Sequence, residues 1–403
     1  MHSPPAPSQA SVRTILPLAF VTGVSMAAMD LYLPAVPALQ AVMGISVSLA
    51  QATIAVYLAG LAGAQLLWGE LLNRLGPRRS IEIGLGLLAL TSLGCALAPN
   101  IETLLVMRLL QGVAAAAATV VAPTVVRATL SDADVVRGIA AISMVEAIVP
   151  AAGPVLGALM LRVVDWRGTF WVLTGLALLV LPWVVKIAPR KLPGLNLAHD
   201  AGYLAILRNR SYLRLAASHA LCIGALLTFL ASAPQLLQHT LGLGTAAFAL
   251  LQVLGVGAFM LGATQSGRLA ARLGHARVVQ WGCAVQVLAC VLALGVTLAL
   301  EQPPYAVVAA YWVSFCGALA IRGPATFGDA LAVPPAQMGR ATALLVLLLL
   351  AAGSVGTQLV APFMGHADSA APLFGAVLLM LLASAALVWR YPALPKTGAA
   401  VPA

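Results

Sequence analysis

The chain has 403 residues, of which 61% are hydrophobic and only 8% charged, whereas a water-soluble domain carries about a quarter of its residues as charges. That composition excludes an ordinary soluble globular protein and puts lipid against most of the surface. The net charge of +10 comes without a basic and aromatic cluster outside the apolar runs, so it reports membrane topology, and no nucleic-acid partner is expected.

A bilayer core about 30 Å thick takes about 20 residues of helix to cross. The N-terminal MHSPPAPSQASVRT reads as a short tail, and the apolar run after it continues to Leu39, too long for a signal-peptide core. With turn residues and charges as punctuation, spans fall at 14–37, 49–72, 79–98, 102–126, 136–161 and 168–187. A basic, Pro-containing stretch follows, and further spans fall at 212–236, 246–270, 277–299, 304–327, 338–362 and 370–390. The expected fold class is an all-α membrane protein of twelve transmembrane helices in two six-helix halves. Its expected parts are a tail at 1–13, an N-terminal half at 14–187, a linker at 188–211, a C-terminal half at 212–390 and a second tail at 391–403.

The division into halves rests on an internal repeat. GELLNRLGPRRS from Gly69 returns as GRLAARLGHARV from Gly267, each between the second and third spans of its half. A parallel six-plus-six duplication, related by a pseudo-two-fold axis along the membrane normal, is a transporter architecture with its site near the midplane. Of the 22 lysines and arginines, eighteen fall in the even-numbered connections, the linker and the tails. Arg162 and Arg167 fall in odd-numbered connections, and Arg108 and Arg322 lie inside spans. This asymmetry puts both termini and the linker in the cytoplasm of a multi-pass protein of the inner (plasma) membrane. The five cysteines all lie in apolar runs without metal or disulfide spacing, which reads as small buried residues.

Several motifs carry a family resemblance. Gly69-Glu70-Leu71-Leu72-Asn73-Arg74-Leu75-Gly76-Pro77-Arg78-Arg79 resembles the signature loop of the major facilitator superfamily, whose charges can latch the two halves at the cytoplasmic side. Leu105-x-x-Arg108-x-x-Gln111-Gly112 looks like that family's fourth-span motif, and Gly153-Pro154-Val155-Leu156-Gly157 looks like the fifth-span motif of its proton-coupled exporters. The segments from Met29 to Pro37 and from Trp166 to Phe170 are similar to the bicyclomycin and chloramphenicol resistance type of exporter. The resemblance covers nearly the whole chain and implies alternating access. It departs from the pattern at Asn73 and Ala128, where acids are usual, and at Val149 and Ala158, where glycine is usual. Pro150, Gly153, Pro154 and Gly157 bend the fifth helix and permit close approach, by resemblance to the eighth.

A charge at a helix centre costs at least about 2.5 kcal/mol and persists mainly in pathways or pairs. Asp30 and Arg108 lie at equal depth, about 10 Å below one face at 1.5 Å per residue, which suggests a coupled pair or a shared cavity; a fixed structural acid is the alternative. Glu146 falls near the midplane, where it exchanges protons, counters a cationic substrate, or simply hydrogen-bonds within the bundle. Asp30, Glu146 and Arg108 are therefore the proton-coupling candidates. Arg322, near the basic end of its span, is expected to snorkel, and His219 to pack between helices. Tyr57, Gln111, Gln235 and Gln252 are candidate cavity contacts, although intramembrane Gln also serves as helix-to-helix glue. Gly69, Asn73, Arg74, Gly76, Arg78, Pro150, Gly153, Pro154 and Gly157 are the gating and packing candidates.

No phosphate-binding loop, metal spacing or nucleophilic triad occurs, so no enzyme activity and no cofactor are expected and coupling falls to an ion gradient. The reading is proton-coupled efflux of small hydrophobic or drug-like compounds by a monomer in lipid, its partners a small-molecule substrate and protons. A narrow-specificity metabolite transporter and an uncoupled channel or sensor are the alternatives.

Overall fold

The computed structural model describes residues 9–129, 132–190, 203–300, 302–334, 337–364 and 369–390. In chain order the helices are α1 Gln9–Asp30, α2 Val36–Met43, α3 Val47–Ala96, α4 Ile101–Thr129, α5 Asp132–Met160, α6 Trp166–Ile187, α7 Tyr203–Arg208, α8 Arg210–Gln235, α9 Thr245–Leu273, α10 His275–Leu300, α11 Tyr305–Ala330, α12 Met338–Val360 and α13 Ala371–Trp389. Eleven segments of the described residues are long and apolar enough to cross a bilayer. The fifth expected span is occupied by α5, whose described apolar part is Ile148–Met160.

The first and seventh spans differ from the expected rods, each for a local reason. The first is broken: Pro34 has no N–H for the Asp30 carbonyl and Pro37 none for that of Leu33. The chain turns through a 3-10 segment, Leu33–Ala35, and resumes as α2, so the span runs to Met43 rather than to residue 37. The second and third spans, Val47–Leu72 and Arg74–Ala96, are two separate helices within α3, joined by a kink at Gly76, whose φ of 77° only glycine adopts without strain. The seventh continues beyond α8 as a π turn, Leu236–Thr240. The expected linker holds α7, and its residues 191–202 lie outside those described.

Lipid is as apolar as leucine, so helices associate through close packing of small residues. The tightest seam of the first half joins α3 and α4, where a Cβ on Gly60 would overlap the Leu109 carbonyl and one on Gly112 the Tyr57 carbonyl. In the second half, Gly224, Gly353 and Gly356 serve the same purpose between α8 and α12, and Gly255 and Gly262 between α9 and α11. The halves meet where α12 lies on α3 and α9 lies on α5. Leu90, Leu179, Leu261 and Leu379 are exposed on the outside of the bundle, as a lipid-facing surface requires.

The α3–α4 seam leaves no room for a side chain. Gly60→Val should lower stability by about 1–3 kcal/mol, the usual cost of overpacking, read as a lower thermal midpoint in detergent. Gly175→Val, which meets no atom within 4 Å, should leave the midpoint unchanged.

Candidate functional site

Arg108 is completely buried on α4, and its guanidinium ties the first half together. Its Nε donates to the Thr53 carbonyl at 3.2 Å, and one terminal nitrogen donates to the Ala28 carbonyl at 3.0 Å and to Gln111 Oε1 at 2.6 Å. Gln111 passes the connection on, its Nε2 donating to Ser92 Oγ at 2.8 Å. The cation lies over the rings of Tyr32 and Tyr57, 4.7 and 4.4 Å from their centroids. Tyr57 in turn donates to the Ser25 carbonyl, and Tyr32 shares a hydrogen bond with Thr53. A planar fork of donors suits this task, and charge-assisted bonds together with aromatic faces offset the burial of the charge. Tyr57 and Gln111, named from the sequence as cavity contacts, therefore lie inside this brace.

Asp30 is the last residue of α1 and is buried. It makes no ion pair with Arg108, which reaches the carbonyl of Ala28 instead. What lies against Asp30 is Gly153 of α5: a Cβ there would come within 2.5 Å of the Asp30 Cβ, and one on Gly157 would overlap the Leu31 carbonyl and press on Pro34. The atoms nearest the fifth-span glycines thus belong to the broken part of the first span, whereas the motif implied the eighth helix. The reason is local, since the break at Asp30 to Pro34 presents bare backbone to two glycines one turn apart. The eighth span touches this motif through Pro150, whose carbonyl accepts from Gln252 Nε2 of α9 at 3.4 Å; Pro154 is buried beside Gly153. Glu146 lies in α5 by its backbone, and its side chain is outside the described residues.

Arg322 does not snorkel. It is buried on α11 and donates to Gln286 Oε1 of α10 at 3.1 Å, to Ser218 Oγ of α8 at 3.0 Å and to Ser384 Oγ of α13 at 3.2 Å. The two serines also bond to each other's carbonyls. This is the second half's counterpart of the Arg108 brace. The sequence offered a faint signal for it, since Ser218, Gln286 and Ser384 are polar residues in otherwise apolar spans. His219 packs edge-on against Phe327.

The basic turn pairs within its own half. Arg74 bonds Glu70 at 2.7 Å and Arg78 bonds Glu82 at 3.3 Å, each one helical turn away. The Arg78 amide donates to the Pro189 carbonyl, and a Cβ on Gly76 would overlap the Arg190 carbonyl, so the turn is fastened to the exit of α6. A Cβ on Gly69 meets no atom within 4 Å, so close approach is not its role here; the Asn73 side chain is outside the described residues. In the second copy, His275 Nδ1 lies 2.8 Å from Asp329 Oδ1, which fixes the start of α10 to the end of α11.

At the opposite, arginine-poor end, polar bridges join the halves. Gln40 Nε2 donates to Gln235 Oε1 at 2.7 Å, Ser354 Oγ to the Ala55 carbonyl at 2.8 Å, and Gln358 Nε2 to Ser48 Oγ at 3.3 Å. With the Gln252–Pro150 bond they make one polar seam. Gln235 and Gln252, expected in the cavity, belong to it. Gln40, Ser48, Ser354 and Gln358 were not singled out by sequence, because nothing in their spacing separates a seam from a solvated turn.

The Major Facilitator Superfamily profile matches residues 18–357. This chain belongs to that superfamily. It is 30% identical to the multidrug resistance protein MdtL of Escherichia coli O157:H7 over 236 residues, 58% of this chain and 60% of that protein. With MdtL of Escherichia coli O17:K52:H18 the same identity runs over 283 residues, 70% of this chain and 71% of the relative. Solved superfamily structures share the fold. The partially occluded, inward-open xylose transporter XylE from E. coli has a TM-score of 0.76 at 15% identity, covering 98% of this chain and 100% of that one. An inward-facing, occupied bacterial homologue of the human lysosomal transporter Spinster has a TM-score of 0.73 at 13% identity, covering 95% and 97%.

Within this superfamily fold, the Arg108 brace depends on the shape of its fork. Arg108→Lys keeps the charge but cannot reach two carbonyls and a side-chain amide in one plane. It should lower the thermal midpoint by the equivalent of about 1.5–3 kcal/mol, and Arg322→Lys should do the same through its serines.

Proposed function

We propose that this superfamily member exports small, largely hydrophobic, drug-like molecules from the cytoplasm across the inner membrane in exchange for protons, by alternating access of its two six-helix halves. The supporting observation is the placement of Asp30: a buried carboxylate at the break of the first span, seated on the fifth-span glycines, one turn from the Pro150 carbonyl that bonds the other half. Protonation at that point removes a charge from the contact between α1 and α5, one turn from the Pro150 carbonyl through which α5 bonds α9 of the other half. The names of the relatives as multidrug resistance proteins support the substrate class. The arginine distribution supports cytoplasmic termini, which makes the bridged end the outer one.

In this cycle protons bind Asp30 or Glu146 from outside and favour release of substrate. They leave inward as the halves rock back, and cytoplasmic substrate enters. Substrate binding on the cytoplasmic side needs the outer seam closed, and release needs it open.

Two experiments test the scheme. In proteoliposomes with an imposed pH gradient, Asp30→Asn should lower gradient-driven substrate accumulation at least about tenfold while substrate still binds, as expected when one carboxylate carries the coupled proton. Full retention would remove Asp30 from that role, and Glu146→Gln is judged by the same measurement. Joining Gln40→Cys to Gln235→Cys by a disulfide should stop transport, and reduction should restore it; transport that continues through the cross-link would exclude opening at this end.

A further inference from the structure

The seam that closes the arginine-poor end is incompletely satisfied, and the pattern is regular. Gln51 on α3 is fully buried, yet neither its Nε2 nor its Oε1 has a hydrogen-bond partner. It lies three residues from Ser48 and four from Ala55, on the stripe whose members bond α12 across the seam. On the facing helix Thr357, also fully buried, has an unpartnered Oγ1 and sits between Ser354 and Gln358, the two residues that make those bonds. The other bridges repeat the arrangement. Ser232, one turn before the bridging Gln235, has an unpartnered Oγ, and Gln252, which bonds Pro150, keeps an unpartnered Oε1.

Each bond across the seam is therefore accompanied by a buried polar atom with nothing to bond. Such a group loses the full hydration it has in water and gains nothing in return. Packing of small residues and the four bridges favour the closed seam, whereas the stranded amide of Gln51 and hydroxyl of Thr357 oppose it. Opening admits water to both. An amide carries two donors and an acceptor, so Gln51 has the largest effect at any one position.

We infer that Gln51, seconded by Thr357, is a gating residue that keeps the outer seam poised to open, its buried amide penalising the closed arrangement. The inference rests on the alternating-access reading above, but its test requires no transport. Neither residue binds substrate in this account; each acts only on the balance between closed and open seams.

The test uses nitroxide labels at Val163→Cys and Leu300→Cys, exposed positions near the arginine-poor end of opposite halves, in the full chain in nanodiscs without substrate or pH gradient. Distance distributions are measured by pulsed electron resonance. Gln51→Leu, which keeps the volume and removes the amide, should lower the open fraction about tenfold, the size expected for relief of one unsatisfied buried group. It should also raise the thermal midpoint. Thr357→Val should shift both in the same direction by less, and carries the test if Gln51→Leu does not fold. An unchanged distribution, a shift toward open, or a parent protein with no open component would each overturn the proposal. Because the readout is a distance, a protein that exports nothing can still pass it. Loss of the export reading and loss of the gating reading are thus separate outcomes.

Discussion

Inside a bilayer core there is no water to complete a hydrogen bond, and each polar group that enters must bring or find its partner. The two buried arginines meet this constraint with several partners each, although one terminal nitrogen of Arg108 and the Nε of Arg322 have none. Arg108 takes carbonyls from the first two spans, a glutamine and two tyrosine faces. Arg322 takes a glutamine and two serines from three other helices. Neither has a carboxylate for a partner. Each is a fixed cation whose bonds stay within one half, so each half can move as a unit without breaking them.

The hydrogen bonds between halves are sparser than those within them. The hydrogen bonds described between them are neutral, lie at the arginine-poor end, and leave buried atoms unpaired beside them. A firm interior within each half and a thin polar seam between halves is the distribution of strength that rigid-body motion needs. The arginines of the signature loop conform to it, since Arg74 and Arg78 pair with acids on their own helices and none of these bonds crosses to the second half.

Much of the architecture was legible because hydropathy, loop charge and the repeated turn are signals of composition and spacing, which survive without knowledge of contacts. The five cysteines also lie buried, as their surroundings suggest. What the sequence could not reveal was rotation about a helix axis. Arg322 lies near the basic end of its span by count, but points inward toward three helices instead of outward to the surface. Gly153 and Gly157 announced close approach without saying to which helix, and the answer depended on a break in the first span set by Pro34 and Pro37. Gln51 gave no signal at all, because an unsatisfied amide can be recognised only once its neighbours are known.

That break has a mechanical consequence. The first span is two rods instead of one, and the second, α2, is eight residues long, about 12 Å at the helical rise. Asp30 stands at its inner hinge and Gln40, which holds the other half, near its far tip. In the proposed cycle a charge gained or lost at Asp30 would act on the pivot of a short lever, with the seam attached to the end that travels farthest.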